Sequence, residues 1–99
     1  MLFLYDEKPV SIFMSGDDTR ISVDFCNIKM KMKPCQFRLF HNYLFNTSKK
    51  LIENTNSVDL VLVTNSLKVT ISTPHFFHLF SAVEIVMNKK FGNQLIYKN

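Results

Sequence analysis

Residues 20–40 read RISVDFCNIKMKMKPCQFRLF, and this stretch decides the fold. Apolar residues alternate with polar ones over residues 21–25 and over residues 28–32, which is the pattern of two strands that each bury one face. The dipeptide 26–27 between them is long enough for a hairpin turn. Pro34 cannot donate to a strand ladder, but its fixed φ suits the first turn of a helix. The stretch therefore predicts an antiparallel hairpin that continues directly into a helix.

The segments on either side extend this pattern. The helix that follows the hairpin places Phe37, Phe40 and Leu44 on one face, because apolar residues three, four or seven apart share a side of a helix. Upstream, residues 10–14 predict another strand, and residues 15–19 hold the Gly and Asp residues that tight turns use. The first half of the chain is thus predicted to contain two or three strands and one helix.

The second half follows the same order. Residues 58–63 and 67–71 predict a second hairpin across a polar turn. Thr73 is a suitable N-cap with Pro74 beside it, and the apolar residues that follow predict a helix to at least Met87.

The end of this second helix is predicted from polar residues. Lysines in the last turn and a glycine after it favour a helix C-terminus, so residues 88–90 and Gly92 are expected to end the helix. Residues 94–98 then predict a short final strand.

The two halves form an internal repeat that covers residues 20–53 and 58–91, with Pro34 and Pro74 at matching places. A hairpin followed by one helix cannot bury its own apolar face, so two copies are expected to share one core. The predicted architecture is α+β, ββαββα, with one antiparallel sheet and both helices packed on one of its faces. Residues 1–99 then form a single domain.

The composition agrees with one globular domain, since 46% of the 99 residues are apolar and 20% are charged. The longest uncharged stretch, residues 69–83, is interrupted by Pro74, so no membrane-spanning helix is predicted. Residues 1–5 are apolar but lack a basic leader, so we expect no secretory signal. Cys26 and Cys35 are too few to hold the fold by disulfides, so we expect reduced thiols and a cytoplasmic location.

The formal net charge is +4, and the basic residues concentrate in the middle of the chain. Lys29, Lys31 and Lys33 project from one face of a predicted strand at intervals of about 6.7 Å, a spacing that suits backbone phosphates. Arg38 and Lys68 would extend this row, which makes a nucleic-acid-binding module the alternative function. The lysines alternate with methionines and not with aromatic residues, so no base-stacking platform is predicted, and a solvated strand edge guarded by lysines is the simpler explanation.

The second predicted helix is apolar over an arc that is wider than one sheet contact requires. The first helix packed beside it would account for this breadth within the monomer, whereas an apolar patch left outside would mark an interface. A homodimer is the commonest arrangement for such a patch. The expected interface residues are Phe76, Phe80, Val83 and Met87, with the two phenylalanines as anchors.

A metal site is a weaker possibility. Cys35, His41, His75 and His78 would form one only if the starts of the two helices came together. The sequence has no CxxC and no HExxH motif, so these residues stay weak candidates and we assign neither a metal nor a cofactor.

The sequence offers no catalytic constellation. Gly16 and Gly92 are the only glycines, which excludes glycine-rich phosphate loops and nucleophile elbows. We therefore expect no enzymatic activity and identify no small-molecule substrate. The leading hypothesis is a non-enzymatic protein–protein interaction domain, adaptor or regulatory, that self-associates or meets a protein partner through the second helix or an exposed sheet edge.

Overall fold

The structure, a computed structural model, describes residues 2–14, 19–51, 56–62 and 67–96, with side chains as far as Lys90. It confirms an α+β chain with antiparallel strands and two helices. In chain order the elements are β1 (Leu2–Glu7), β2 (Val10–Met14), β3 (Ile21–Phe25), β4 (Ile28–Met32), α1 (Pro34–Lys49), β5 (Ser57–Leu62), β6 (Leu67–Ser72) and α2 (Thr73–Ile96). Each of the two hairpins β3–β4 and β5–β6 is followed by a helix, as the repeat predicts.

The strands form two sheets and not the single sheet expected from the repeat. One sheet has four strands in the order β1-β2-β3-β4, and the other has β5 and β6 only. The N-terminal hairpin pairs with β3. On the edge of β5, the N–H of Val61 donates to the hydroxyl oxygen of Tyr43 at 2.8 Å. A side chain from α1 therefore takes a backbone donor on the edge of β5 that a joined sheet would use.

The β3–β4 hairpin has the predicted register and turn. Ile21 lies opposite Met32 and Phe25 lies opposite Ile28, with Cys26 and Asn27 between the strands. Cys26 has a φ of 57°, and its N–H donates to the Pro9 carbonyl at 3.0 Å. This bond joins the β3–β4 turn to the β1–β2 turn at one end of the sheet.

Helix α1 begins at the predicted proline, and α2 begins at Thr73, one residue before Pro74. Pro34 is the first residue of α1, and the Gln36 Oε1 atom accepts the N–H of Lys33 at 2.8 Å. In α2 the N–H of His75 donates to the Ser72 hydroxyl at 3.3 Å. Ser72 therefore takes the N-cap place expected of Thr73, because the helix starts one residue earlier than predicted.

The end of α2 differs from the sequence prediction. The helix continues through Gly92 to Ile96, where a helix end and a strand over residues 94–98 were expected. Glycine within a helix costs only about 1 kcal/mol relative to alanine, and a glycine ends a helix reliably only where it takes a positive φ. No glycine in the described residues does so.

One hydrophobic core joins both sheets and both helices. Its members are buried residues from every layer: Val10, Ile12, Ile21, Val23, Phe25, Phe37, Phe40, Leu44, Val58, Leu60, Leu62, Ile71, Phe76, Leu79, Ala82, Val83, Val86 and Met87. The wide apolar arc of α2 is covered by α1 and by strands of both sheets. Neither helix, over its described residues, is long and apolar enough to cross a membrane.

Candidate functional site

A groove of about 420 Å³ lies between β4 and β5, with α1 as its floor. Met30, Lys31 and Met32 form one wall, and Val61 and Leu62 form the other. The two walls belong to different sheets, and the groove occupies the place where those sheets would have joined.

Both walls of the groove are sheet edges. Among the described residues, β4 pairs with β3 alone and β5 pairs with β6 alone. Every second residue of such an edge strand directs its N–H and C=O groups away from its neighbour. The Val61 N–H shows this direction, since it points away from β6 to the Tyr43 hydroxyl.

The floor of the groove is mostly apolar, and Leu39 is its exposed apolar residue. Gln36, Leu39, Phe40 and Tyr43 of α1 line it. Leu39 is 67% exposed, and Val61 on the facing wall is 39% exposed. Exposed apolar side chains that line a concave surface next to strand edges are a feature of protein-binding sites.

The rim of the groove on the β4 side is basic. Lys31 lines the groove, while Lys29 and Lys33 lie two positions before and after it. All three lysines are exposed, as the alternation in the sequence predicts. The groove thus combines an apolar floor with a positively charged border.

The outer face of the four-stranded sheet carries a second group of residues. Phe3, Phe13, Ser22 and Lys31 lie opposite one another across the four strands. The rings of Phe3 and Phe13 are 5.5 Å apart between centroids. A shallow depression of about 290 Å³ beside them is lined by Phe13, Ser22, Asp24, Lys29, Met30 and Lys31.

The predicted interface residues of α2 lie mostly inside the chain. Phe76 and Val83 have 0% exposure and Met87 has 4%. Phe80 is partly buried against Phe76 and the ring of Phe45. Three of the four residues are therefore covered within the monomer, because α1 and both sheets close over this side of α2.

The exposed apolar residues of α2 are different ones. Phe77 is 45% exposed and Ile85 is 38% exposed, and both lie on the side of the helix opposite the core. The sequence does not distinguish them from the buried residues because apolar side chains surround most of this helix.

The other basic residues of the nucleic-acid hypothesis lie on other elements than the lysine row. Lys68 lies in the second sheet, where its Nζ atom is 3.6 Å from Asp59 Oδ2. Arg38 lies on α1. The row on β4 therefore consists of Lys29, Lys31 and, just after the strand, Lys33.

The weak metal candidates face separate neighbours. The Nε2 atom of His78 is 2.9 Å from the Tyr5 hydroxyl, and the ring of His75 lies edge-on to Phe25. Cys35 is exposed in the first turn of α1. Within the described residues no group of three or more His, Cys, Asp or Glu side chains is placed to hold a metal ion.

His41 occupies the contact between the two helices. Its ring stacks on Phe45 and contacts Phe80, and its Nε2 atom lies 3.9 Å from Glu84 Oε2. That buried nitrogen has no hydrogen-bond partner in the described part of the chain. Burial lowers the pKa of His41, and the negative charge of Glu84 opposes that shift in part.

Comparison with protein-family models, with curated proteins and with solved structures gives no match for this chain. The function must therefore be argued from the geometry alone.

Proposed function

We propose that this chain is a non-enzymatic protein-interaction domain that binds an extended segment of a partner protein in the groove between β4 and β5. The observation that carries the proposal is the pair of strand edges that face one groove with an apolar floor. An extended segment can add a strand to such an edge, because its backbone supplies the hydrogen bonds and its alternate side chains fill apolar sites.

The walls favour a strand over a helix as the occupant. A segment laid along β4 or β5 meets backbone donors and acceptors at every second residue of the edge. Leu39 and Phe40 on the floor would then receive the side chains that point downward, since successive side chains of a strand point to opposite sides.

Tyr43 adds a second argument for backbone recognition. Its hydroxyl accepts the N–H of Val61, the group that a guest carbonyl would accept in its place. Native proteins cover the groups of an edge strand with a side chain or loop to prevent unwanted pairing. A guest that adds to β5 would take this donor in place of the Tyr43 hydroxyl.

The charge at the rim selects among extended segments. Lys31 lines the groove on one side, Lys29 and Lys33 lie two positions before and after it, and the chain carries a net charge of +4. Opposite charges across an interface steer association and exclude wrong partners. Because the lysines alternate along β4, the favoured partner segment has apolar residues at the positions that face the floor and acidic residues at the alternate positions beside the lysines.

The test uses a short synthetic peptide in which valine and glutamate alternate. Leu39→Lys places a charge in the groove and should weaken binding about tenfold, because the apolar floor is lost. Phe77→Lys is the matched control, since it also replaces an exposed apolar helical residue, but outside the groove lining. Calorimetry gives the affinities, and amide chemical shifts locate the peptide.

The backbone contribution is tested with a peptide of the same side-chain pattern whose central amides are N-methylated. It should bind more weakly than the parent peptide, because it cannot donate to an edge strand. Equal binding of the parent peptide to wild type and Leu39→Lys would contradict the proposal.

Self-association is the competing occupant. If light scattering shows that the wild type is a dimer and that Leu39→Lys is a monomer, the groove holds a second copy of the chain. That result keeps the interaction function but rejects the acidic peptide segment as its ligand.

A further inference from the structure

We infer that the outer face of the four-stranded sheet is a binding site for single-stranded nucleic acid, which goes beyond the proposed peptide function and shares Lys31 with the rim of the peptide groove. Phe3 and Phe13 would stack bases, and Lys29 and Lys31 would hold phosphates. The inference rests on the juxtaposition of an aromatic pair, one ring half-exposed and the other partly buried, and a lysine row on one sheet face.

Phe3 has the exposure that stacking needs, and Phe13 beside it is partly buried. Phe3 is 50% exposed, and its ring meets that of Phe13 at an interplanar angle of 55°. The core lies on the other face of this sheet, where Val10 and Ile12 have 0% exposure. Two aromatic rings on a solvent face are not explained by the packing of this chain, whereas bases stack on such rings irrespective of their sequence.

The lysines stand in register with the rings. Phe13 lies opposite Ser22, and Ser22 lies opposite Lys31 on the next strand. Adjacent strands are about 4.8 Å apart, so the phenylalanine and the lysine are about two strand spacings apart. A single strand that crosses the sheet can thus place a base on the rings and its phosphates along β4.

The depression between the aromatic rings and the lysines contains a carboxylate that could hydrogen-bond to a base. Asp24 lies in it beside Ser22 and Lys29. A carboxylate repels phosphates but accepts a hydrogen bond from an exocyclic amino group such as N4 of cytosine. The face should therefore bind cytidine-rich strands more tightly than uridine-rich strands, which lack this donor.

The experiment measures fluorescence anisotropy of short labelled RNAs of cytidine only and of uridine only. Phe3→Leu and Phe13→Leu should each weaken binding roughly tenfold, because an apolar side chain remains but the stacking surface is lost. Phe77→Leu is the control for an exposed aromatic residue elsewhere. Phe3→Leu alters a half-exposed residue, so a folding defect does not obscure its result.

The charge is tested with a double variant, Lys29→Gln with Lys31→Gln. It should reduce the slope of log affinity against log salt by about 1.4, as expected for the loss of two phosphate contacts to a single strand. Lys50→Gln with Lys90→Gln removes the same net charge elsewhere and should leave the slope nearly unchanged.

Base preference is tested with Asp24→Ala. In the wild type the cytidine strand should bind roughly fivefold more tightly than the uridine strand, and the variant should lose this ratio. Leu39→Lys should leave RNA binding intact, which separates this site from the peptide groove.

Three results would overturn the inference. They are absence of binding at low salt, equal binding by the wild type and both phenylalanine variants, and equal losses from the two lysine pairs. The last result would mean that only the overall positive charge attracts RNA.

Discussion

Cys26 is a non-glycine residue in the left-handed region of backbone space. Its φ of 57° costs an L-residue about 1–2 kcal/mol, whereas glycine takes this conformation freely. Part of that gain is lost because glycine is more flexible in the unfolded chain. We therefore expect Cys26→Gly to raise the free energy of unfolding by about 0.5–1 kcal/mol, measured by urea denaturation under reducing conditions.

The control for this position is Cys26→Ala, which removes the thiol but keeps the Cβ atom that causes the strain. Its stability should match that of the wild type. If the alanine variant gains as much as the glycine variant, the backbone conformation is not the cause.

His41 predicts a pH dependence of stability. Burial against Phe45 and Phe80 lowers its pKa in the folded state, while the unfolded chain has an ordinary value of about 6.5. The unfolded state therefore binds the proton more readily, and the free energy of unfolding falls as pH drops below about 6.5. His41→Gln should show a smaller loss of stability between about pH 7.5 and about pH 5.

Two further variants separate this effect from other titrations. Glu84→Gln removes the carboxylate that raises the pKa of His41, so stability should fall more steeply with acidification. Asn42→Gln alters an exposed residue next to His41 that carries no titratable group and should leave the pH profile unchanged. An unchanged profile in His41→Gln would show that other groups cause the acid sensitivity.

The second helix has a buried side and an exposed side, and the adjacent residues Phe76 and Phe77 lie on different sides. Phe76 has 0% exposure, and Phe77 is 45% exposed with its ring 5.2 Å from that of Phe76. Phe76→Ala should cost about 3–5 kcal/mol of stability, because it leaves a cavity in the core. Phe77→Ala should cost about 1 kcal/mol or less. Thermal unfolding of the two variants measures the difference, and similar losses would show that the helix is rotated.

The sequence predicts individual helices and strands better than it predicts which strands pair with each other. The β3–β4 hairpin and the start of α1 follow from local signals, namely alternation, a two-residue turn and Pro34. Strand β1 was not predicted, because its first residues are a continuous apolar run with no alternation. The split into two sheets was not predicted either, because no local sequence pattern indicates which strand edges pair with each other.

The candidate sites were harder to predict than the elements. The groove takes its residues from β4, α1 and β5, which are separated in the chain and meet only through packing. On the outer face, Phe3 and Phe13 are far in sequence from the lysines of β4, so the alternation within β4 alone argued against a stacking surface. Only the strand register brings these residues onto one face.

The two sheets share one core, so the molecule should unfold as one cooperative unit. Ile71 is 8% exposed in the small sheet, and Ile71→Val should cost about 0.5–1.5 kcal/mol. In native-state hydrogen exchange, the free energy of protection of amides in β2 and β3 of the large sheet should fall by the same amount as the free energy of unfolding. A loss confined to β5 and β6 would show that the small sheet opens by itself.

The open edges of β4 and β5 make polymerisation a hazard for this chain. A hairpin of one copy that entered the groove of another would leave its own groove vacant, so growth could continue head to tail into a filament. The lysines along β4 oppose each such addition by like-charge repulsion, which dissolved salt weakens. Fibrillation should therefore be fastest in concentrated salt. A bound acidic peptide should suppress it, because the peptide occupies the groove between β4 and β5.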